Sequence, residues 1–348
     1  MKRDDAAALD RHGRAIQNRR AMVRVHFILG CTAGGKGSLG RELARRTGGQ
    51  ILSVDSMKIY RRMDIGTAKP TPAQRAEISH HCIDLVEPSE SFSVARYVRA
   101  ADEAIARIAA AGAPVLAVGG TALYVKGLSE GLFEGPSADA ELRAELKARA
   151  AVEGWPVLHT ELAAIDPPAA ARIHPNDAKR IVRALEVYRL TGSTISDLQQ
   201  QWDLPAGRQA ARRTQYDCVF IGLRRDKDDA NRRINARVKR MIELGLRDEV
   251  AGLLAEPAGL SRQAAQALGY AEMIRHLAGE LTLDETVEQI KINTRQFAKR
   301  QRTWFRSFRS MHWIDVAPDA TAEAVADRAE PLIDVGSSHG EQSGDGRG

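Results

Sequence analysis

Cysteine is scarce in this chain, three in 348 residues, and Cys31, Cys82 and Cys218 stand far apart with no paired spacing. That excludes a disulfide framework and a cysteine-built zinc site, and it fits a reducing cytosol. Long apolar stretches are missing too. No run reaches the roughly 18 residues a membrane-spanning helix needs. Residues Met1 to Ala21 are rich in arginine, yet they carry Asp4, Asp5 and Asp10 and have no apolar core, which argues against a signal or transit peptide. Residues 1–22 read as a disordered extension, and Met22, just ahead of the first strand, is an alternative start. Acidic residues vanish in one place: seven basic residues and no acid lie between Lys291 and Arg309. What is present is a globular composition, 43% hydrophobic and 28% charged, in a chain long enough for two domains. The net charge of +6 points to an anionic partner.

The stretch from Val25 to Ser38 organises the rest. Val25-His26-Phe27-Ile28-Leu29 is a short apolar run of β-branched and aromatic residues, which reads as a buried strand. Gly30, Gly35 and Lys36 then match G-x-x-x-x-G-K, the phosphate-binding loop between a strand and a helix, with Thr32, Ala33 and Gly34 inside its span. Glycines let backbone N–H groups turn toward phosphate oxygens, and Lys36 adds a point charge. Leu39, Leu43 and Ala44 share one face of the helix that follows. The residue after the lysine, which in this motif offers a hydroxyl to Mg²⁺, is Gly37 here, and Ser38 comes one position later.

The second strand, Gln50 to Val54, runs into Asp55-Ser56-Met57-Lys58-Ile59-Tyr60. Ligands of an open α/β sheet sit at the carboxyl ends of its strands, so Asp55 is placed to face whatever Lys36 holds. An aspartate there can equally cap the next helix. A third strand is expected at Ile83 to Val86 and a helix from Val94 to Ala111. The apolar run from Val115 ends in Gly119-Gly120-Thr121. Thr121 is either a second carboxyl-edge group or a plain turn threonine. Lys36, Asp55 and Thr121 at three strand ends count for more together than singly.

From about Gly127 the pattern becomes helical and charged, over Asp139 to Glu153, Val157 to Ile165 and Asn176 to Leu190. Residues 127–201 read as a helical insertion. In its last helix Ile181, Leu185 and Tyr188 form a core stripe, while the basic Lys179, Arg180 and Arg183 are either a solvated face or an RNA-facing one. Cys218 to Leu223 returns to the sheet, followed by a helix from Ala230 to Leu244 and another opened by Gly269-Tyr270-Ala271-Glu272. Further on, Lys291, Arg295 and Lys299 repeat every four residues on one helix face, and Ile290, Phe297 and Trp304 repeat every seven and pack inward. Basic residues interleaved with aromatics suit RNA or a polyphosphate. After Val316 the chain turns polar, and 317–348 reads as a largely disordered tail. The fold class is α/β: a P-loop-type, mostly parallel sheet flanked by helices over 23–126 and 202–316, with the helical insertion between.

In this order the motifs resemble the tRNA dimethylallyltransferase family, also described as tRNA isopentenyltransferases or IPP transferases. The motifs are Gly30 to Lys36; Asp55 to Tyr60 with Met63 to Pro70; Gly119 to Tyr124; Asp177 to Tyr188; Gly269 to Glu272; and Thr294 to Phe305. The resemblance implies transfer of a dimethylallyl group from dimethylallyl diphosphate, with Mg²⁺. The acceptor it implies is the exocyclic amine of the adenosine 3′ of the anticodon, in tRNAs reading codons that start with U. A cytoplasmic monomer whose partner is the tRNA anticodon stem-loop is the expectation. Asp55 then resembles the general base, and Thr121 the hydroxyl that positions the amine and the bridging oxygen. Gly30, Thr32, Ala33, Gly34, Gly35, Lys36, Gly37 and Ser38 resemble the diphosphate loop. Asp55, Ser56, Met57 and Lys58, then Asn176, Asp177, Ala178, Lys179 and Arg180, resemble tRNA-contacting segments, with Arg143, Gly269 and Tyr270 beside them. The chain departs from the family at Gly37, where Thr or Ser is usual, which leaves Ser38, a water or the substrate oxygens as the candidates to meet the metal. It departs again at Lys58 and Arg62, where Gln and Gly are common, and at Ala122, a usual glycine. A nucleotide or small-metabolite kinase with the same loop is the main competitor, and a non-catalytic RNA-binding protein is another. Asp55-Ser56-Met57, the insertion and the basic helix speak against both.

Overall fold

The computed structural model describes residues 22–131, 135–136, 138–198, 216–308 and 310–333. The expected extension over 1–21 and the end of the expected tail, 334–348, lie outside the described residues. The chain divides into two compact units, one of 22–129 with 216–333, the other of 130–198 among the described residues.

The first unit is built on six strands: β1 (Val23–Gly30), β2 (Gln50–Val54), β3 (His80–His81), β4 (Val115–Gly119), β5 (Tyr216–Arg224) and β6 (Met311–Asp315). They form one sheet in the order β3-β2-β4-β1-β5-β6, and every pairing is parallel. Because the sheet is covered on both faces, its central strands are continuous apolar runs rather than alternating ones. Val25, Phe27 and Leu29 of β1 join Leu52, Val54, Tyr97 and Tyr124 in one core. On the opposite face Ile28 meets Leu39, Leu43, Ile51, Leu116 and Ile221. The pleat sends successive side chains of a strand to opposite faces, which is why Ile28 parts from its neighbours.

Two expectations are corrected and one strand is added. The third strand is His80–His81, and of the 83–86 stretch only Val86 makes a bridge, to Tyr60, because positive-φ Cys82 and Asp84 turn the chain out of line. A sixth strand, Met311–Asp315, adds to the sheet beside β5. The polar stretch after Val316 is ordered at its start: a helix, Ala322–Ala329, is capped by Thr321, and its buried Val325, Ala326 and Ala329 join the core under Leu39 and Leu43. Arg46 reaches across to Asp327 and Glu330.

The second unit packs helices Ala140–Glu153, Trp155–Ile165 and Ala178–Thr191 around Leu146, Leu158, Leu162, Ile181 and Leu185. Tyr188, expected in that stripe, is exposed.

Candidate active site

The register of the sheet brings the three strand-end signals together. Leu29 is level with Gly119, and Gly119 with Val54. β1, β4 and β2 therefore end in one row, and the segments that leave them, the phosphate loop, Gly120-Thr121 and Asp55-Ser56, line one cavity of about 800 Å³. Thr32 to Ser38 lie in its wall, whereas Gly30 closes β1 without reaching it.

Gly35 caps the Lys36–Thr47 helix at φ 100°, a left-handed conformation that glycine adopts at no steric cost. No side chain caps this helix and its first turn holds no acid, so its free N–H groups and dipole are left to an anion. Lys36 Nζ donates to the Cys31 carbonyl at 2.7 Å. Burial pushes its ammonium down from 10.5 to about 8. Ser38 sits at the exposed rim.

Asp55 does cap, but it caps a turn and not a helix. Its Oδ1 accepts from Met57 N at 2.9 Å and Lys58 N at 3.4 Å. Its Oδ2 has no hydrogen bond among the described residues, so one oxygen holds the turn and the other is available to a ligand. The Thr121 hydroxyl accepts from Ser56 N at 3.0 Å and donates to Ser56 Oγ at 3.4 Å, which ties the turn after β4 to the turn after β2.

Residues not singled out from the sequence complete the wall. Arg233 Nε donates to Ala33 O at 3.0 Å, and Arg237 lies 3.5 Å from Thr32 Oγ1 and 3.4 Å from Thr67 O. Both stand on the Lys227–Glu243 helix, four residues apart, and that spacing was the available signal. Lys36, Arg41, Lys58, Arg233, Arg237 and Arg300 line the cavity against a single carboxylate, Asp55. Burial lowers the pKa of both Lys58 and Arg237, the mark of cations crowded away from water. Beside them Val238, Met241, Leu268, Ile290 and Phe297 give the cavity an apolar side.

Gln301, on the long Leu283–Phe305 helix, joins two of the turns. Its Oε1 accepts from Thr32 N at 2.8 Å and its Nε2 donates to Gly120 O at 2.8 Å. A Cβ at Gly120 would lie 2.4 Å from that Nε2, so a larger residue there would push the Gln301 carboxamide off the turns it joins. The buried face of this helix runs Ile290, Thr294, Ala298, Gln301 and Phe305 at the helical 3.6 spacing, and of the residues expected to pack inward Ile290 and Trp304 do so. Phe297 faces the cavity instead. Of the basic residues, Lys291 pairs with Glu288 and Arg295 donates to Asn235, which leaves Arg300 to line the cavity.

Other candidates are placed differently from expectation. Tyr270 is fully buried and Gly269 is buried, so neither presents a side chain to an RNA. Tyr270 donates its hydroxyl to Glu249 Oε1 at 2.5 Å, and Glu249 accepts from the N–H groups of Asp64, Ile65 and Gly66. Arg143 is held by the buried Glu186, whose carboxylate also takes Arg183 and the Asp139 N–H. Burial raises the Glu186 pKa, but those donors outweigh it and keep the carboxyl below its usual range. Asp177 caps its helix and pairs with Arg180, while Lys179 and Arg180 are exposed. Arg62 adopts φ 60° and pairs with Glu87 and Glu256.

Known proteins resemble most of this chain in sequence and in fold. The family model described as IPP transferase matches residues 58–308, and one described as isopentenyl transferase matches 23–84. The tRNA dimethylallyltransferase of Geobacter metallireducens is 46% identical over 293 residues, 84% of this chain and 93% of that protein. That of Anaeromyxobacter dehalogenans is 44% identical over 308 residues, 88% and 99% of the two chains. Among solved structures, the tRNA isopentenylpyrophosphate transferase of Bacillus halodurans superposes with a TM-score of 0.64 at 38% identity, covering 89% of this chain and 95% of that one. A eukaryotic dimethylallyltransferase acting on tRNA gives 0.71 at 26% identity, over 84% and 74%.

Proposed function

The chain belongs to the IPP transferase family, prenyl transferases acting on tRNA, and from that premise we propose both its donor and its acceptor. The donor is dimethylallyl diphosphate. The acceptor is the exocyclic amine of the adenosine 3′ of the anticodon, in tRNAs reading codons that begin with U. The observation that carries this reading is the composition of the cavity: six cations, one carboxylate and an apolar side where three parallel strands end. A kinase of small metabolites shares the loop but has no use for that apolar side.

The amine nitrogen forms a bond to the allylic carbon as the C–O bond breaks, and the electron pair leaves with the diphosphate. Negative charge grows on the leaving group. The N–H groups of the loop, Lys36, Arg233 and Arg237 supply fixed positive charge to meet it, with no reorganisation needed at the moment of reaction. The amine sheds one proton, and the free Oδ2 of Asp55 takes it. The Ser56 N–H holds the Thr121 oxygen at 3.0 Å, but the hydroxyl donates only weakly, at 3.4 Å to Ser56 Oγ, so its O–H can turn to the amine or to the bridging oxygen. The five-carbon group lies along Val238, Met241, Ile290 and Phe297. The target base is flipped from its stack to reach the cavity. Ser56 to Lys58 and Asn176 to Arg180 contact the anticodon stem-loop, and the enzyme acts as a cytoplasmic monomer.

Mg²⁺ is the ion the family brings with it, and the residues present do not fit an ion held by the protein. Gly37 has no hydroxyl, and among the described residues no three His, Cys, Asp or Glu side chains gather. Asp55 already gives Oδ1 to its own turn. A Mg²⁺ ion would depend on the diphosphate and on the water it sheds reluctantly, and would neutralise charge on the leaving group, with no side chain of this loop to hold it.

The test is incubation of the protein with labelled dimethylallyl diphosphate and an anticodon stem-loop bearing adenosines at and around the target position. Label in the RNA is the expected result. Unlabelled RNA together with consumption of ATP would favour the kinase.

A further inference from the structure

We propose that the Arg41 guanidinium grips the diphosphate at the place where a phosphate loop ordinarily offers a metal-binding hydroxyl, so that a fixed cation of the protein takes over part of the divalent ion's work. The inference rests on the diphosphate donor proposed above. Gly37 and Arg41 are one turn apart on the Lys36–Thr47 helix. Side chains of a helix lean toward its N-terminus, so the residue four places on covers the one before it. Here Arg41 Nη1 lies 3.6 Å from the point where a Cβ on residue 37 would stand. The missing side chain at 37 and the guanidinium over it occupy one spot.

Arg41 lines the cavity, and among the described residues it makes no hydrogen bond or ion pair. Its neighbours on the helix behave otherwise. Arg45 pairs with Glu77, and Arg46 with Glu42, Asp327 and Glu330. The Glu77 carboxylate acts on this half-buried guanidinium without a hydrogen bond or ion pair and is itself paired with Arg45, while Arg45 and Lys58 press on it with like charge, so its fork is left to an anion. Its planar fork suits two phosphate oxygens at once.

The test is calorimetric titration with inorganic diphosphate, in EDTA and in excess Mg²⁺, of the unchanged protein, Arg41→Ala, Arg41→Lys and Gly37→Thr, each checked for an unchanged melting curve. The unchanged protein should bind in EDTA within about threefold of its Mg²⁺ value. Arg41→Ala should weaken binding in EDTA by at least about tenfold, the loss of a charge-assisted pair, and regain most of it with Mg²⁺. Arg41→Lys should fall between, keeping charge without the fork. Gly37→Thr puts a hydroxyl and a methyl against the Arg41 guanidinium, which must move aside, and should widen the gain that Mg²⁺ gives. Two results would overturn the proposal: Arg41→Ala binding in EDTA as the unchanged protein does, or an unchanged protein that binds only with Mg²⁺. Should Arg41→Ala melt early, Arg41→Lys gives the same decision. RNA labelling is scored separately. Its failure would sink the donor and leave the diphosphate comparison standing.

Discussion

Gln301 Oε1 accepts the Thr32 N–H at 2.8 Å across 269 residues of sequence, and that bond fixes the phosphate loop to the longest helix of the fold. The same carboxamide donates to Gly120 O, so the loop that holds the leaving group and the turn that carries Thr121 share one clamp. Gln301→Glu keeps the shape but puts an acceptor against the Gly120 carbonyl. Turnover should fall about 100-fold from misplacement of the two turns. Stability should drop by about 1–3 kcal/mol, the cost of a buried carbonyl left unpaired. Steady-state kinetics and thermal melts would check both, and normal turnover in a well-folded variant would remove Gln301 from the machinery.

Asp55 divides its labour between two oxygens, which dictates the variant to make. Asp55→Asn keeps an oxygen for the Met57 N–H and loses the base. Single-turnover prenylation should slow by about 10²–10⁴-fold while tRNA affinity stays within a few fold. A rate near that of the unchanged protein rules out the proton-accepting role.

Lys36 sets a pH limit on donor binding. Its folded pKa of about 8 lies below the 10.5 of an unburied lysine, because desolvation disfavours the charge. Between those values the unfolded chain holds more protons than the ligand-free fold, so this group adds stability as pH rises through the window. The charge offered to the diphosphate moves the other way. Affinity for a diphosphate ester should hold below pH 8 and fall above it, by up to about tenfold per unit. Titrations at several pH values, with proton uptake measured in two buffers, test this, and an affinity level from pH 7 to 9 contradicts it.

In the insertion unit, the basic residues should separate into two kinds. Lys179 and Arg180 are exposed, so replacing both with Gln should flatten the log–log salt dependence of stem-loop binding by about one to two units. Arg183 is spent on Glu186 and the Pro136 carbonyl, so Arg183→Gln should leave that slope unchanged. Glu186→Gln should instead lower stability by about 2–3 kcal/mol, less than a fully buried pair would cost because Arg143 and Arg183 both reach solvent. A flattened slope for Arg183→Gln would return that residue to the RNA-facing set.

The sequence alone determined what is local. A strand, a glycine loop and a helix follow one another in Val25 to Thr47, and both the periodicity and the turn chemistry of such a unit lie within a few residues. Asp55 and Thr121 were legible for the same reason, since each stands at the end of an apolar run, and parallel strands put those ends on one edge. The ends of the insertion helices were readable to within a residue or two, while the capping roles of Asp139 and Asp177 came from the structure. What the tertiary structure decided is which distant groups become neighbours. Arg233 and Arg237 were not singled out, because nothing in their own helix shows that it is laid over the loop. Gln301 looked like spacing inside a basic run, and Tyr270 like a contact residue, until packing buried both. Arg183 and Arg180 belong to the same basic cluster, and only the structure assigns Arg183 to the buried Glu186 and Arg180 to an exposed pair with Asp177. Such fates depend on where crossovers return the chain, and burial, charge pairing and pKa are properties of the space so formed rather than of any stretch of residues.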